Sequence, residues 1–148
     1  MQTKLQFKRL DPRAKLPTRA TEGSAGMDLY ALLEAPVTIA PGETVTVPTG
    51  IAMALESPAY VGLVFPRSGL SIKHGIDLAN SVGVIDSDYR GELRVGLRNE
   101  GSRAYTIEPA ERIAQLAILP VVIPAVEEVT ELEDTQRGTG GFGSTGTH

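Results

Sequence analysis

The stretch ELRVGLRN, Glu92 to Asn99, alternates strictly: Leu93, Val95 and Leu97 fall on one side, and Arg94, Gly96 and Arg98 on the other. Successive side chains of a β-strand point to opposite faces, so this period of two predicts a strand with one face in a core and one in solvent. ETVTVPTG, Glu43 to Gly50, repeats the pattern, with Val45 and Val47 on a shared face. Working outward, MDLYALL, IAMAL, YVGLVF, RIAQLAIL and PVVIPAVEEV are short, near-continuous apolar runs, the pattern of strands covered on both sides. Between these runs lie most of the 16 glycines and 10 prolines, which punctuate strands as turns. Hardly any stretch carries a helical period. The one helix expected is a short turn after Pro66, around RSGLSIKHG, bracketed by Gly69 and Gly75. The fold class is therefore all-β, a sandwich or barrel, without internal repeats.

A chain of 148 residues suits one domain, which at this size buries roughly 70% of its unfolded surface and needs no staple. It has no cysteine, which excludes disulfides and thiolate chemistry and fits a reducing, cytoplasmic setting. MQTKLQFKRLDPRAKLP at the N-terminus mixes charges with single apolar residues, so neither a secretory leader nor a membrane span is expected. A net charge of −4 argues against nucleic acid as a partner, because non-specific binding to it requires many neutralised phosphates. The two histidines, His74 and His148, lie in unrelated contexts, which argues against a protein-ligated transition metal. From Glu127 the chain turns polar, and it ends in RGTGGFGSTGTH, Arg137 to His148. That divides it into a β domain over 1–130 and a flexible arm over 131–148.

Five stretches carry chemistry, each with a plain structural alternative. In SAGMDLYA, Asp28 is a carboxylate inside an apolar strand, so it is either paired with an arginine or close to a metal. In PRSGLSIKHG, Arg67, Ser68 and Gly69 stand at the start of the expected helix. Free amides there suit a phosphate, or Ser68 caps them. NSVGVIDSDYRGEL, Asn80 to Leu93, reads as a hairpin whose turn holds Asp86, Asp88 and Tyr89. Turn aspartates commonly bond their own backbone, yet Asp86 directly follows Val84 and Ile85, where a strand end can hold a carboxylate firmly enough to orient a water. Gln115 is the one amide in ERIAQLAIL and must meet either a neighbouring backbone or a ligand oxygen. The glycine arm is either a disordered end or an anion cap, in which Gly backbone amides, Ser144, Thr145 and Arg137 converge on a phosphate. Gly138, Gly140 and Gly143 satisfy a dinucleotide-binding spacing, but no helix or distant acid follows, so that reading fails.

Taken in order, AGMDLYA, PRSGL, GVIDSDYRGEL, RIAQL and RGTGGFGSTG, from Ala25 to Gly146, closely resemble the five motifs of the homotrimeric dUTPase family. The resemblance covers nearly the whole chain. It implies a distorted β jelly roll assembled as a homotrimer, with each active site built from all three chains and the C-terminal arm exchanged between subunits. It implies hydrolysis of dUTP to dUMP and pyrophosphate by attack of water on the α-phosphate with Mg²⁺, lowering dUTP and supplying dUMP for thymidylate synthesis. Carried onto the matching positions, Asp86 activates the water and Tyr89 packs on the deoxyribose. Asn80 and the backbone around Val84 and Ile85 read the uracil. Arg67, Ser68, Gly69 and Gln115 hold phosphate oxygens, and Asp28 meets Mg²⁺ through its waters. In the arm, Phe142 stacks on uracil, while Arg137, Ser144 and Thr145, with the backbone of Gly140, Gly141 and Gly143, close over the γ-phosphate. The dCTP deaminases of the same superfamily give a second reading, for which Glu92 would be the carboxylate near the base. A regulatory nucleotide-binding module is a third.

Overall fold

The computed structural model describes residues 3–147; Met1 and Gln2 at the start, and His148 at the tip of the predicted arm, lie outside it. The longest strand organises the architecture. RIAQLAILP forms β11 (Arg112–Pro120), flanked by β2 (Met27–Tyr30) and β6 (Tyr60–Phe65), with β8 (Gly83–Ile85) beyond β6. A second sheet sets β9 (Arg94–Asn99) between β4 (Thr44–Pro48) and β7 (Ile76–Leu78). Two ribbons complete the structure: β1 (Leu5–Arg9) with β5 (Ile51–Leu55), and β3 (Val37–Ile39) with β10 (Tyr105–Ile107). Among the described residues every pairing is antiparallel, and the ladders remain four separate sheets with no closed barrel.

The alternating strand behaves as its sequence predicts. Leu93, Val95 and Leu97 are buried and Arg94 is exposed, while Val47 of β4 is buried beside Val95 across the ladder. All four sheets feed one core: Leu29 and Leu116 from the first, Ile76 and Leu97 from the second, Ile51, Ile39 and Ile107 from the ribbons. Fully burying a side chain of this size contributes about 1.5–3 kcal/mol, so this shared cluster is what makes the ladders one domain. Only β5 is buried nearly throughout, as its continuous apolar run predicts; β2 and β6 alternate.

Asn99 is a buried polar side chain at the end of β9, and every polar atom of its amide is used. Its Nδ2 donates to the carbonyls of Ile39 and Arg103 at 2.9 and 2.7 Å, and its Oδ1 accepts from the Gly101 amide at 2.9 Å. Satisfied in this way, it anchors the 99–103 turn against β3. Nearby, Tyr105 donates to Glu111, and burial followed by that bond pushes its phenol up to about 12. It is a neutral donor at any ordinary pH.

The expected helix forms as α1 (Ser68–His74), with Gly69 inside it rather than ahead of it. Arg67 is the N-cap and no side chain caps the amides, so the capping role for Ser68 is not realised. Two further expectations are corrected. NSVGVIDSDYRGEL is not a hairpin: β8 pairs with β6, whereas β9 pairs with β4 and β7, so Asp86–Leu93 is a crossing between two sheets. Turns of Asp, Ser and Gly look alike whether the chain reverses within a sheet or leaves it. PVVIPAVEEV is not a covered strand either. Pairing stops at Pro120, the last tie to the body is the Val121 amide on the Ala59 carbonyl, and Val122 and Val126 are 86% and 99% exposed. Pro120 and Pro124 lack the N–H that a continuing ladder needs.

Gly75 closes α1 in the left-handed region at φ 67°, with its amide on the carbonyls of Leu70 and Ser71. A Cβ there would lie 2.6 Å from the Gly101 backbone nitrogen, which cannot yield without disturbing the turn that Asn99 holds. Gly75→Ala is expected to cost more than about 2 kcal/mol, strain and backbone clash combined, measured by chemical denaturation.

Candidate active site

Most of the predicted site residues gather into two clefts and a free arm, while Gly69 within α1 and Asn80 before β8 line neither cleft. The first cleft, of about 410 Å³, opens where β2, β11 and the end of β6 lie side by side. Gln115 faces Asp28 across one ladder and Phe65 across the other, so the chain leaving β6 delivers Pro66, Arg67 and Ser68 next to both. Asp28 is paired: its Oδ1 lies 3.1 Å from Arg67 Nε and its Oδ2 lies 3.5 Å from Arg112 Nη1. Arg67 also donates to the Arg112 carbonyl at 3.3 Å. Gln115 Nε2 donates to the Pro66 carbonyl at 3.0 Å, which fixes its carboxamide and leaves its second N–H free. A Cβ at Gly26 would collide with that carboxamide, so glycine there lets β2 approach it.

Sequence reasoning missed Arg112. On strict alternation it would share the core face with Ala114 and Leu116, but the register shifts between Arg112 and Ala114, and Ile113 and Ala114 are both buried. This bulge turns Arg112 to the outward face that carries Gln115. Period-two counting cannot see a bulge; the arginine at the head of an otherwise apolar run was the available signal.

The second cleft, of about 240 Å³, is lined by Val84, Ile85, Asp86, Tyr89, Glu92, Leu93 and Arg94. Asp86 and Tyr89 close one turn, with the Tyr89 amide on the Asp86 carbonyl at 3.1 Å. Asn80 stands in the exposed turn before β8, and its Nδ2 is the third-nearest atom to a Cβ built on Gly83, at 3.7 Å. Both oxygens of Glu92 have a partner: one accepts the Gly50 amide at 2.9 Å and the other accepts Arg94 Nε at 3.0 Å.

One chain does not bring these clefts together. Gln115 pairs with Phe65, and Ile85 pairs with Gly62 three residues along β6. At about 3.3 Å per residue and 4.8 Å per strand, Ile85 is on the order of 14 Å from Gln115. The arm joins neither cleft. Its hydrogen bonds are local, Arg137 Nε to the Gly140 carbonyl at 2.8 Å and the Ser144 amide to the Gly141 carbonyl at 3.0 Å among them, and Phe142 is fully exposed.

A paired guanidinium, uncapped helix amides, a hydroxyl and a fixed carboxamide around one cleft are the groups that hold phosphate oxygens. Such a cleft defines a β-protein equipped for a phosphate-bearing ligand. A family model for dUTPases matches residues 12–146. The deoxyuridine 5'-triphosphate nucleotidohydrolase of Paraburkholderia phymatum is 54% identical over 147 residues, 98% of this chain and 99% of that protein. Among solved structures, the dUTPase of Staphylococcus bacteriophage 80alpha with dUPNHPP superposes with a TM-score of 0.88 at 31% identity, over 97% of this chain and 99% of the other. A mutant dUTPase of phage phi11 of S. aureus, solved for the coordination of a structural Mg(II) ion, gives 0.79 at 27% identity, over 88% and 99%. The chain belongs to the dUTPase family.

Removing the charge of Asp28 leaves Arg67 and Arg112 facing each other without their shared acceptor. Asp28→Asn is expected to lower stability by about 1–3 kcal/mol in chemical denaturation. Adding Arg67→Gln should recover part of that loss, because the repulsion disappears with one guanidinium.

Proposed function

We propose that the chain hydrolyses dUTP to dUMP and pyrophosphate in active sites shared among three copies. The observation that carries this is the separation just described: the Asp86 carboxylate in one cleft, next to Ile85, phosphate donors around Gln115 in another, about 14 Å from Ile85 by strand spacing, and an arm engaged with neither. Displacement at phosphorus needs a water within about 3–3.5 Å of the reacting atom, so the parts work only when copies bring them together. The exposed apolar run Val122, Ile123 and Val126 supports the same assembly, being a stretch that a lone chain leaves in water. The β domain over 1–130 is then the rigid body of each subunit, and 131–148 the lid.

Each chain residue then has a task. Arg67, with Ser68 and the Gly69 amide, holds phosphate oxygens, and Gln115 donates its spare N–H at the α-phosphate. Asp86 orients the attacking water from the neighbouring copy. If bond-breaking leads, positioning carries more of the effect than base strength. Tyr89 covers the deoxyribose, and Asn80 with the backbone of Val84 and Ile85 reads the uracil. Phe142 stacks on the base as Arg137, Gly140, Gly141, Gly143, Ser144 and Thr145 close over the γ-phosphate.

Among the described residues no three His, Asp or Glu side chains converge, so the protein alone offers no cage for a metal. Asp28 fits an outer-shell role: its two guanidinium partners occupy two of about four lone-pair sites on a carboxylate that lines the phosphate cleft. Mg²⁺ carried by the triphosphate supplies charge neutralisation on its oxygens. Among the described residues no helix is long and apolar enough to cross a membrane, and the cysteine-free composition fits the cytoplasm. The deaminase reading is the weaker one: Glu92 already has a structural task, accepting the Gly50 amide and Arg94, and the similar proteins of known name are deoxyuridine 5'-triphosphate nucleotidohydrolases.

Pyrophosphate release from dUTP, dTTP, dCTP and UTP, with light scattering for mass, tests the whole reading. Release from dUTP alone, from a particle of three chain masses, is the expected result; ammonia from dCTP or silence on all four would overturn it. Asp86→Asn is expected to keep nucleotide binding and cut turnover by about 10²-fold or more. Truncation after Gln136 is expected to cut turnover while leaving the trimer and its unfolding midpoint in place.

A further inference from the structure

The Tyr89 ring is held by two contacts that the motif reading does not assign. Its hydroxyl donates to the Glu92 carbonyl at 2.9 Å, three residues ahead. The hydroxyl end of its ring lies against Gly91: a Cβ built there would sit 2.6 Å from Cζ and 2.8 Å from Cε1, and would overlap the hydroxyl oxygen. Real Cβ atoms do not approach that closely, so the ring occupies the space that any side chain at 91 would fill. Gly91 has no left-handed φ, so alanine there meets no backbone penalty of its own. What glycine supplies is room for the ring. Glu92 keeps this seat from moving, since its carboxylate ties the segment to the Gly50 amide and to Arg94.

We propose that Gly91 is a positioning residue that sets discrimination between deoxyribose and ribose by seating the Tyr89 ring, with the Glu92 carbonyl as its second hold. The inference rests on the dUTP reading above, in which Tyr89 covers the sugar. A 2′-hydroxyl is excluded only if the ring cannot retreat, and a ring 44% exposed would otherwise have room to do so. An alanine methyl at 91 displaces the free end of a side chain, not backbone, so the protein accommodates it by lifting the ring. Selectivity is lost and the fold is kept.

The test compares kcat and KM for dUTP and UTP in the full-length protein, Gly91→Ala, Tyr89→Ala and the double variant. Gly91→Ala is expected to lower the dUTP-to-UTP ratio of kcat/KM by about tenfold or more, a size typical of losing one shape contact. In the Tyr89→Ala background it is expected to change that ratio by less than about twofold, because the two residues act as a unit. An unchanged ratio in Gly91→Ala, or an equal loss with and without Tyr89, would overturn the proposal. A readout free of turnover separates it from the functional reading: the ring resonances of Tyr89 in a ¹³C-tyrosine sample, assigned with Tyr89→Phe. They are expected to shift in Gly91→Ala while the unfolding midpoint stays close to that of the parent. Unmoved resonances sink the seat even in a protein that hydrolyses dUTP, and a protein inactive on dUTP whose ring does move loses only the reading of the substrate.

Discussion

The register of β11 between β2 and β6 is the constraint on which the site depends. It sets Asp28, Gln115 and Phe65 in one row, and through Phe65 it delivers Pro66, Arg67 and Ser68 to the edge of that row. A slip by one residue would turn Gln115 into the core and Leu116 out of it, exchanging an unsatisfied amide for an exposed leucine. Leu29, Ala114 and Leu116, all fully buried, hold the register against that slip. The bulge at Ile113 adds to it, letting two successive apolar residues go inward and returning Arg112 to the face that carries Gln115. Packing and chemistry therefore share one strand.

A single copy satisfies its own core but not all of its surface. Asn99, Tyr105 and Gln115 have their bonds within the chain, and among the described residues no buried side-chain polar atom lacks a partner. The longest run of exposed apolar side chains is the stretch after Pro120, with Val122, Ile123 and Val126, while Ile72 and Val84 are exposed singly. Among the described residues the segment has no hydrogen bond to the body beyond Val121 and so few contacts to lose, which suits the lid role proposed for it.

Much of this was legible in the sequence, for reasons that particular residues make plain. Alternation at Leu93, Val95 and Leu97 decided the strand because one face really is core, and Pro66 with Gly75 bounded the helix because their backbone preferences are local. Asp28 could be read as a carboxylate in need of a cation, but not which one: Arg67 and Arg112 are 39 and 84 positions away, and only the sheet makes them neighbours. The false hairpin at Asp86 and the false strand after Pro120 share a cause. Both depend on which ladder edge is within reach, a property of topology that no window of ten residues contains. Gly91 escaped notice because a glycine within a turn is expected whether or not anything rests on it.

The electrostatics follow from that arrangement. A chain of net charge −4 repels a triphosphate at long range, yet screening confines that repulsion to about 8–10 Å at ordinary salt. Inside that distance the local field is set by Arg67 and Arg112 sharing Asp28, two positive charges on one negative. Asp28 offsets the repulsion between the two guanidiniums, which stay within a few ångströms of each other and of the start of α1. An anion that displaces neither of them gains both, and in the proposed reading Arg137 would add a third charge once the arm closes. On that proposal affinity would be concentrated in the closed state, and binding energy would go into ordering the reaction rather than into holding the nucleotide on an open surface.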